Sequence, residues 1–300
     1  MLALTILGNN SAIPAFDRNP TAQILQTFDT SYLIDCGEGT QMQMAKYKIR
    51  RSKITHVFIS HLHGDHYFGL IGLLNSLSLL GRTQDLHIYA PAPLQNIINI
   101  QLEVVHGQLS FRLFFHDLTT EGLIVDDKKV TVHCFAVQHK IECWGFLFRE
   151  KKLPRKIDIE RARAYEIPAS FYDKLQAGEN YTTKKGTIIS NEEVTLPGKP
   201  AKSYAYCADT KFDETIIDKI KGVDLVYHET TYLKNLEKIA GERFHSTTVQ
   251  AAEIAKRAEA KRLLIGHFSS KYETLEEFHK EASEVFDNTE LAIQGVCYRI

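Results

Sequence analysis

Three histidines and one aspartate stand within six residues of this chain, in the run His61-Leu62-His63-Gly64-Asp65-His66, directly after an apolar segment at 55–60. Neutral imidazoles and carboxylates are ligands of divalent metals, and alternate positions in an extended loop let His61 and His63 point the same way. A single tetrahedral ion bound by all four side chains would leave no open position for a substrate. The run therefore predicts two adjacent metal ions and hydrolytic chemistry. A group of polar surface histidines is the alternative, but nothing structural requires three clustered imidazoles between an apolar strand and an apolar helix.

Composition limits the class of protein. The 300 residues are 44 % hydrophobic and 24 % charged, which is enough for a full globular core. A formal net charge of -1 disfavours a generally basic nucleic-acid coat protein, so any polyanion site must be local. The five cysteines form no CxxC pair, the N-terminal MLALTILGNNSAIPAF lacks the basic start of a signal peptide, and no run approaches the ~18 apolar residues of a membrane span. We therefore expect a cytoplasmic protein.

Short β-rich segments alternate with helical ones, which predicts a layered α/β protein. The predicted strands are 2–7, 22–27, 32–36, 57–60, 130–137, 144–149, 203–207, 224–228, 262–266 and 291–298. The predicted helices are 68–80, 93–105, 213–220, 248–259 and 275–286. The helix at 248–259 has the clearest start, because Thr247 and Gln250 have capping-box spacing. His245 lies just before it, where the helix dipole favours an anion such as a phosphate.

Four ligands in one loop cannot close two metal sites, so further ligands are expected just past later strands. His139 follows the strand at 130–137, Asp209 follows 203–207 in the phrase CADT, and His267 follows 262–266. Each stands in the same relation to its strand as His61 does.

The segment at about 149–202 differs in composition from the rest of the chain, because it is rich in charged residues and has few long apolar runs. Two interpretations remain open. The segment could be a solvated insertion or a pair of small helices that cover the core, or a protruding element whose Lys and Arg side chains contact a nucleic-acid backbone.

The motifs together resemble the metallo-β-lactamase superfamily and, within it, the ribonuclease Z family of endonucleases, which remove 3′ trailers from precursor tRNA. The resemblance covers most of the chain. It includes ILGNNSAIPAFDRN at the start, LIDCGEGTQ at 33–41, SHLHGDH at 60–66, LLGR at 79–82, CADT at 207–210, HETT at 228–231, HSTT at 245–248 and HFSSKY at 267–272. The HxHxDH pattern alone identifies only the superfamily, and the HETT and HST phrases narrow it.

This resemblance implies a single domain over 1–300, with a four-layer αββα sandwich of two mixed β-sheets and an inserted arm-like segment at about 150–202. It implies two zinc ions per chain, with other divalent ions possible. One ion would be held by His61, His63 and His139, the other by Asp65, His66 and His267, and Asp209 would bridge them. Asp65 would also accept the proton of the attacking water. A homodimer is the family expectation, in which the arm of one subunit holds tRNA for the active site of the other.

The resemblance also assigns a residue pair beside the metals. His245 would stabilise the phosphoryl oxygen or protonate the leaving 3′ oxygen as general acid, and Glu229 would orient it. Without the resemblance, the two residues could equally be a helix-flanking histidine and a strand-end surface charge.

Several other positions are given no catalytic role. His56, His87, His106, His116, His133 and His279 lack companion ligands and are expected to be surface or core residues. Asp35 and Glu38 in LIDCGEG are expected to be structural, in a tight turn for which Gly37 and Gly39 supply unusual backbone angles. Two positions depart from the family pattern: Phe16 replaces the lysine of PxKxRN, and Lys271 replaces a frequent arginine, which removes a bidentate fork.

The predicted function is zinc-dependent hydrolysis of the phosphodiester 3′ of the discriminator base of precursor tRNA. Two other hypotheses remain. One is a small-substrate phosphodiesterase or ester hydrolase of the same superfamily, which needs no basic arm. The other is a non-catalytic RNA-binding scaffold, which the complete set of candidate ligands disfavours.

Overall fold

Side chains on alternate sides of the long strands enter two different apolar clusters. In the Ser31–Cys36 strand, Tyr32 and Ile34 pack into one cluster and Leu33 into the other. Because successive strand residues point to opposite faces, such a strand is covered on both sides. In this computed structural model, which describes residues 2–104 and 107–300, two sheets face each other and helices cover their outer faces.

The two sheets contain seven strands each within the described residues, and both are mixed. The first sheet has the spatial order Cys297–Arg299, Ala3–Gly8, Ala22–Gln26, Ser31–Cys36, Ile54–Phe58, Leu86–Ala90 and Leu113–Asp117. The second has the order Thr289–Leu291, Leu263–Gly266, Leu225–Glu229, Ser203–Cys207, Trp144–Glu150, Val130–Ala136 and Gly122–Asp126. The short strands Asn10–Ser11 and Phe268–Ser269 pair in parallel beside them.

Helices form the two outer layers. The helices Thr40–Lys46, Leu70–Leu79 and Pro93–Val104 pack on the first sheet through residues such as Met44, Leu73 and Ile98, and Thr248–Arg257 and Glu276–Ser283 pack on the second. Gly64–Tyr67 and Glu237–Glu242 are short helices, and Arg51–Lys53, Glu214–Ile216 and Lys234–Leu236 are 3₁₀ turns. No helix in the described part of the chain is long and apolar enough to cross a membrane. The predicted four-layer αββα architecture is confirmed.

Residues 150–201 form a second compact unit, separate from the unit of 1–149 and 202–300. Its elements are the helices Ile159–Ala164, Tyr172–Ala177 and Asn191–Val194, the 3₁₀ turn Ala169–Phe171, and two small ladders, Lys156–Ile157 with Thr195–Leu196 and Tyr181–Thr182 with Ile188–Ile189. Four buried apolar side chains make its core: Ile167, Leu175, Ile189 and Val194. Asn191 is buried beside them and donates to the carbonyls of Leu175 and Glu179, at 2.7 and 3.0 Å.

Two predicted elements are wrong. The strand predicted at 291–298 is two strands in different sheets, Thr289–Leu291 and Cys297–Arg299. Gly295 lies between them with φ +81°, a conformation that favours glycine, and the chain crosses from one sheet to the other there. The helix predicted at 213–220 is only the 3₁₀ turn Glu214–Ile216, because the Asp213 carboxylate accepts the Thr215 N–H and Oγ1–H and forms a local turn.

The other predicted elements are present with ends that differ by up to three residues. The helix predicted at 68–80 begins at Leu70, after the separate short helix Gly64–Tyr67. Position 105, at the end of the helix predicted at 93–105, lies outside the described residues, as does His106. The strands Leu86–Ala90, Leu113–Asp117 and Gly122–Asp126 were not predicted.

Candidate metal centre

Side chains that follow four different strands converge in one cluster. His61, His63, Asp65 and His66 come after Ile54–Phe58, His139 after Val130–Ala136, Asp209 after Ser203–Cys207, and His267 after Leu263–Gly266. Their ligand atoms fall into overlapping groups within 4.8 Å: His61, His63 and His139; His61, His66 and Asp209; Asp65, His66 and His267. All seven predicted metal ligands are therefore brought together.

One half of the cluster consists of three imidazoles. His63 Nδ1 lies 3.0 Å from His61 Nε2 and 3.1 Å from His139 Nε2. Burial lowers the pKa of all three histidines, which favours the neutral form that a metal requires.

The other half combines carboxylate and imidazole. Asp65 Oδ2 lies 3.5 Å from both His66 Nε2 and His267 Nε2. Asp209 stands between the halves: its Oδ2 is 3.8 Å from His61 Nε2, and its Oδ1 is 3.3 Å from His267 Nε2. Burial opposes ionisation of Asp209, but the neighbouring His267 and His66 outweigh it and hold the pKa of this carboxyl well below its usual range.

Four of the imidazoles are oriented through their second nitrogen. The Nδ1 contacts are His61 to Ser60 Oγ at 3.0 Å, His66 to Asp35 Oδ2 at 2.8 Å, His139 to the Phe244 carbonyl at 2.9 Å, and His267 to Thr231 Oγ1 at 2.9 Å. In metal sites such contacts fix the ring and leave the other nitrogen directed at the ion. In each of these four rings that nitrogen is Nε2.

The residues fit divalent cations. His66 Nε2 and His267 Nε2 are buried without a hydrogen-bond partner among the described residues, a costly arrangement for a polar atom that a metal would satisfy. Burial lowers the pKa of His66, yet the charges of Asp209, Asp65 and Asp35 outweigh it and raise the pKa well above its usual value. The centre therefore favours positive charge.

A histidine–carboxylate pair borders the cluster. Glu229 Oε1 lies 2.8 Å from His245 Nδ1 and also accepts the Ser246 N–H at 3.0 Å, and Oε2 accepts the Thr231 N–H at 2.9 Å. Burial opposes ionisation of Glu229, but His245 outweighs it and keeps the pKa of the carboxyl low. Burial likewise lowers the pKa of His245, and Glu229 outweighs that effect and raises it to about 9. At neutral pH the pair therefore favours an ionised Glu229 beside a protonated His245.

Asp35 has a contact that sequence reasoning missed. Its carboxylate accepts from the Ser60 N–H at 2.7 Å and Tyr206 Oη–H at 2.6 Å and touches His66 Nδ1, so the expectation of a purely structural turn residue is incomplete. The sequence signal for this contact was an acidic residue within the buried strand sequence LIDC.

The two glycines that follow Asp35 have different roles. Gly39 has φ +80°, as predicted for an unusual backbone angle. Gly37 instead allows two parts of the backbone to pack closely, since a Cβ there would lie 2.4 Å from the Asp65 carbonyl oxygen.

Residues that were given no catalytic role lie outside the cluster. His56, His87 and His116 stack along neighbouring strands of the first sheet, with ring centroids 5.2–5.3 Å apart. Arg18 is buried, and its guanidinium donates to Asn10 Oδ1 and the Glu273 and Tyr272 carbonyls, which ties the first loop to the chain after His267.

A cavity of about 540 Å³ opens onto the cluster and is lined by His63, Asp65, Asp209 and His245 on its polar side. Ile13, Pro14, Pro20 and Phe68 line it as well. The cavity size is that of a site for a small molecule or a single nucleotide.

Comparison with known proteins agrees with this geometry. The chain is 41 % identical to ribonuclease Z of Bacteroides thetaiotaomicron over 299 residues, which is 99 % of this chain and 95 % of that protein. It is 42 % identical to ribonuclease Z of Porphyromonas gingivalis over 286 residues, covering 95 % and 94 % of the two chains. The crystal structure of the short form of human tRNase Z matches with a TM-score of 0.74 at 27 % identity over 99 % of both chains.

Two family models match parts of the sequence. The model described as a beta-lactamase superfamily domain matches residues 177–268, and the model described as anti-Pycsar protein Apyc1 matches residues 2–153.

Proposed function

Because the chain belongs to the ribonuclease Z family of metal-dependent hydrolases, we propose that it cleaves precursor tRNA 3′ of the discriminator base and releases the 3′ trailer. The observation that carries this proposal is the cluster of seven His and Asp ligands, with four of its imidazoles already oriented, in a chain that shares about two fifths of its sequence with ribonucleases Z.

We assign two divalent ions to the cluster, and zinc as the preferred ion because imidazole supplies most of the donors. His61, His63 and His139 would hold one, Asp65, His66 and His267 the other, and Asp209 both. When bound, such a pair neutralises charge on phosphodiester oxygens and makes water a nucleophile near neutral pH.

Asp65 is assigned the acceptor of the proton from the attacking water. The Ala12 N–H donates to Asp65 Oδ2 at 2.8 Å, so the carboxylate is held from the first loop as well as by the neighbouring imidazoles. A carboxylate fixed in this way needs no rearrangement to receive the proton.

His245 is assigned the donor to the phosphoryl oxygen or to the leaving 3′ oxygen. Its Nδ1 faces Glu229, so Nε2 is the atom that would reach substrate in the cavity that His245 lines. Glu229 favours the protonated ring and fixes its orientation, which are the two requirements of a general acid at this position.

The proposal extends to the 150–201 unit, the oligomeric state and the cellular compartment. The 150–201 unit is assigned the contact to the tRNA body, and the active form is assigned as a homodimer in which this unit serves the other subunit. Four of the five cysteines are buried free thiols, which suits the reducing cytoplasm where precursor tRNA is processed.

The test is incubation of the purified, metal-quantified protein with a 3′-extended precursor tRNA, followed by mapping of both product ends. Asp65→Ala is the test variant, and Asp218→Ala, at an exposed position, is the matched control. One cut beside the discriminator base, lost in Asp65→Ala and kept in Asp218→Ala, is the expected result. No cut by a protein that carries two metals per chain and turns over bis(p-nitrophenyl) phosphate would instead assign a small-substrate phosphodiesterase.

A further inference from the structure

The cavity over the metal cluster has an apolar side with an exposed aromatic ring. Phe68 lines the same cavity as Asp65, Asp209 and His245, and 61 % of its surface is exposed. Ile13, which is 56 % exposed, lines it too. Two large apolar side chains left in water beside a catalytic centre are a candidate contact surface for substrate.

The Phe68 ring is held in place from below. It packs on Gly64, the residue between ligands His63 and Asp65, so closely that a Cβ at Gly64 would lie 2.2 Å from the ring. Tyr67 packs against it edge to face, with centroids 5.0 Å apart.

The backbone on both sides of the ring is also fixed. The Phe68 N–H donates to the Gly64 carbonyl at 2.9 Å, and the Gly69 N–H donates to the Cys36 carbonyl at 2.9 Å. Position 69 has no space for a side chain, because a Cβ there would lie 2.1 Å from the Gly37 carbonyl oxygen. The exposed ring is therefore a preorganised surface at the edge of the metal cluster.

The loop that carries Ile13 is tied to the same centre. The Ala12 N–H binds the Asp65 carboxylate, and Asn10 Nδ2 donates to the Ile13 carbonyl at 2.6 Å. Two hydrogen bonds thus connect the loop on the apolar side of the cavity to Asp65, the residue that is assigned the proton-accepting role, and to Asn10.

We propose that Phe68 is a base-stacking platform that positions one unpaired nucleobase beside the scissile phosphate, with Ile13 shielding it from water. This inference rests on the proposed function. An RNA backbone at the metals has bases attached to it, and every unpaired base offers a flat π-face that an exposed aromatic ring can bind. Phe68, Ile13, Pro14 and Pro20 offer no charge or hydrogen-bond donor from their side chains, so stacking and apolar contact are what this side of the cavity offers to a nucleotide.

The test is a cycle that combines one protein substitution with one RNA change. The proteins are wild type, Phe68→Leu, Phe68→Tyr, and Phe28→Leu as the matched control, since Phe28 is an 87 % exposed phenylalanine in the turn between two strands of the first sheet. The RNAs are a precursor tRNA and two forms with an abasic residue, one on each side of the cleaved bond. Metal content is measured for every protein.

Phe68→Leu is expected to lower kcat/KM on the intact RNA roughly 10-fold, while Phe68→Tyr and Phe28→Leu stay within about threefold of wild type. One abasic RNA should be cleaved roughly 10-fold more slowly than the intact RNA by wild type, but no more slowly by Phe68→Leu. That loss of sensitivity reports a contact between ring and base, which a merely structural role for Phe68 would not produce.

Equal sensitivity of wild type and Phe68→Leu to both abasic RNAs would overturn the platform, as would loss of bound metal in Phe68→Leu accompanied by equal losses on all three RNAs. A wild-type protein that cleaves none of the RNAs but hydrolyses bis(p-nitrophenyl) phosphate would overturn the proposed function, and the platform with it.

Discussion

The His/Asp cluster and the 150–201 unit differ in how firmly their charged side chains are held. In the cluster, buried charges stand within 4 Å of one another, and each of four imidazoles has its second nitrogen bound to a partner. The core of the 150–201 unit is a cluster of only four buried apolar side chains. The unit carries ten Lys and Arg against eight Asp and Glu, whereas the rest of the chain has an excess of three acids.

If the 150–201 unit contacts tRNA as proposed, this difference means that the reaction and the binding of the tRNA body depend on separate sets of residues. A metal site depends on distances between particular atoms, so its residues need partners that remove their freedom. Contacts to a polyanion depend on charge and reach, so they tolerate mobile side chains and many arrangements. Changes in the cluster should therefore affect every substrate, and changes in the 150–201 unit only the large one.

The largest effect is expected from Asp209→Ala, because Asp209 contacts both halves of the cluster. We expect the activity on precursor tRNA and on bis(p-nitrophenyl) phosphate to fall by at least about 1,000-fold, together with the metal content. Steady-state kinetics and elemental analysis measure the two effects, and Asp218→Ala should change neither. Full metal content with full activity would show that Asp209 is not a ligand.

Deletion of residues 150–201 should separate the two substrates. Arg149 and Ser203 are register partners in neighbouring antiparallel strands, so a short glycine-containing turn can join Arg149 to Lys202 without strain in the sheet. We expect kcat/KM on precursor tRNA to fall about 100-fold, mostly through KM, while turnover of bis(p-nitrophenyl) phosphate stays within about threefold. Equal losses on both substrates would mean that the unit supports the active site itself.

Asp35→Asn tests how much the hydrogen bonds that orient the imidazoles contribute to metal affinity. The amide keeps the volume but cannot accept from Ser60, Tyr206 and His66 as the carboxylate does. We expect metal affinity to fall about 10- to 100-fold, measured by competition with a chelating dye. Asp127→Asn is the matched control, because Asp127 also accepts from a tyrosine, Tyr32 at 2.5 Å, without touching a ligand. Similar losses of metal affinity in both variants would argue for general destabilisation.

The sequence predicts the candidate metal ligands better than the residues that hydrogen-bond to them. His61 to His66 are dense in sequence, and His139, Asp209 and His267 each follow a recognisable strand, so their types and positions indicate a shared site. Asp35 and Thr231 act through contacts between elements far apart in the chain, which no local pattern records. The resemblance to a known family supplied the pairing of His245 with Glu229.

Most of the strands that the sequence did not predict, or predicted wrongly, lie at the sheet edges; the exception is Leu86–Ala90, an inner strand of the first sheet. Leu113–Asp117 and Gly122–Asp126 are edge strands with partly exposed faces, so they lack the continuous apolar pattern of central strands. The last two strands were merged because residues 291–298 contain one turn glycine and otherwise read as a single β-rich segment. Which sheet each strand joins depends on long-range pairing and not on its own composition.

The smallest effect is expected from the double substitution Lys184→Ala/Lys185→Ala, at the exposed turn between the two strands of a hairpin in the 150–201 unit. If this turn contacts phosphate, KM for precursor tRNA should rise about threefold at low salt. The dependence of log KM on log salt concentration should become shallower, by about one to two units of slope, because RNA binding releases fewer counterions when phosphate contacts are lost. Lys48→Ala, at an exposed position of the larger unit, is the control and should leave the slope unchanged. A lower kcat with an unchanged salt slope would contradict the division between docking and chemistry, because it would place these two lysines in the reaction itself.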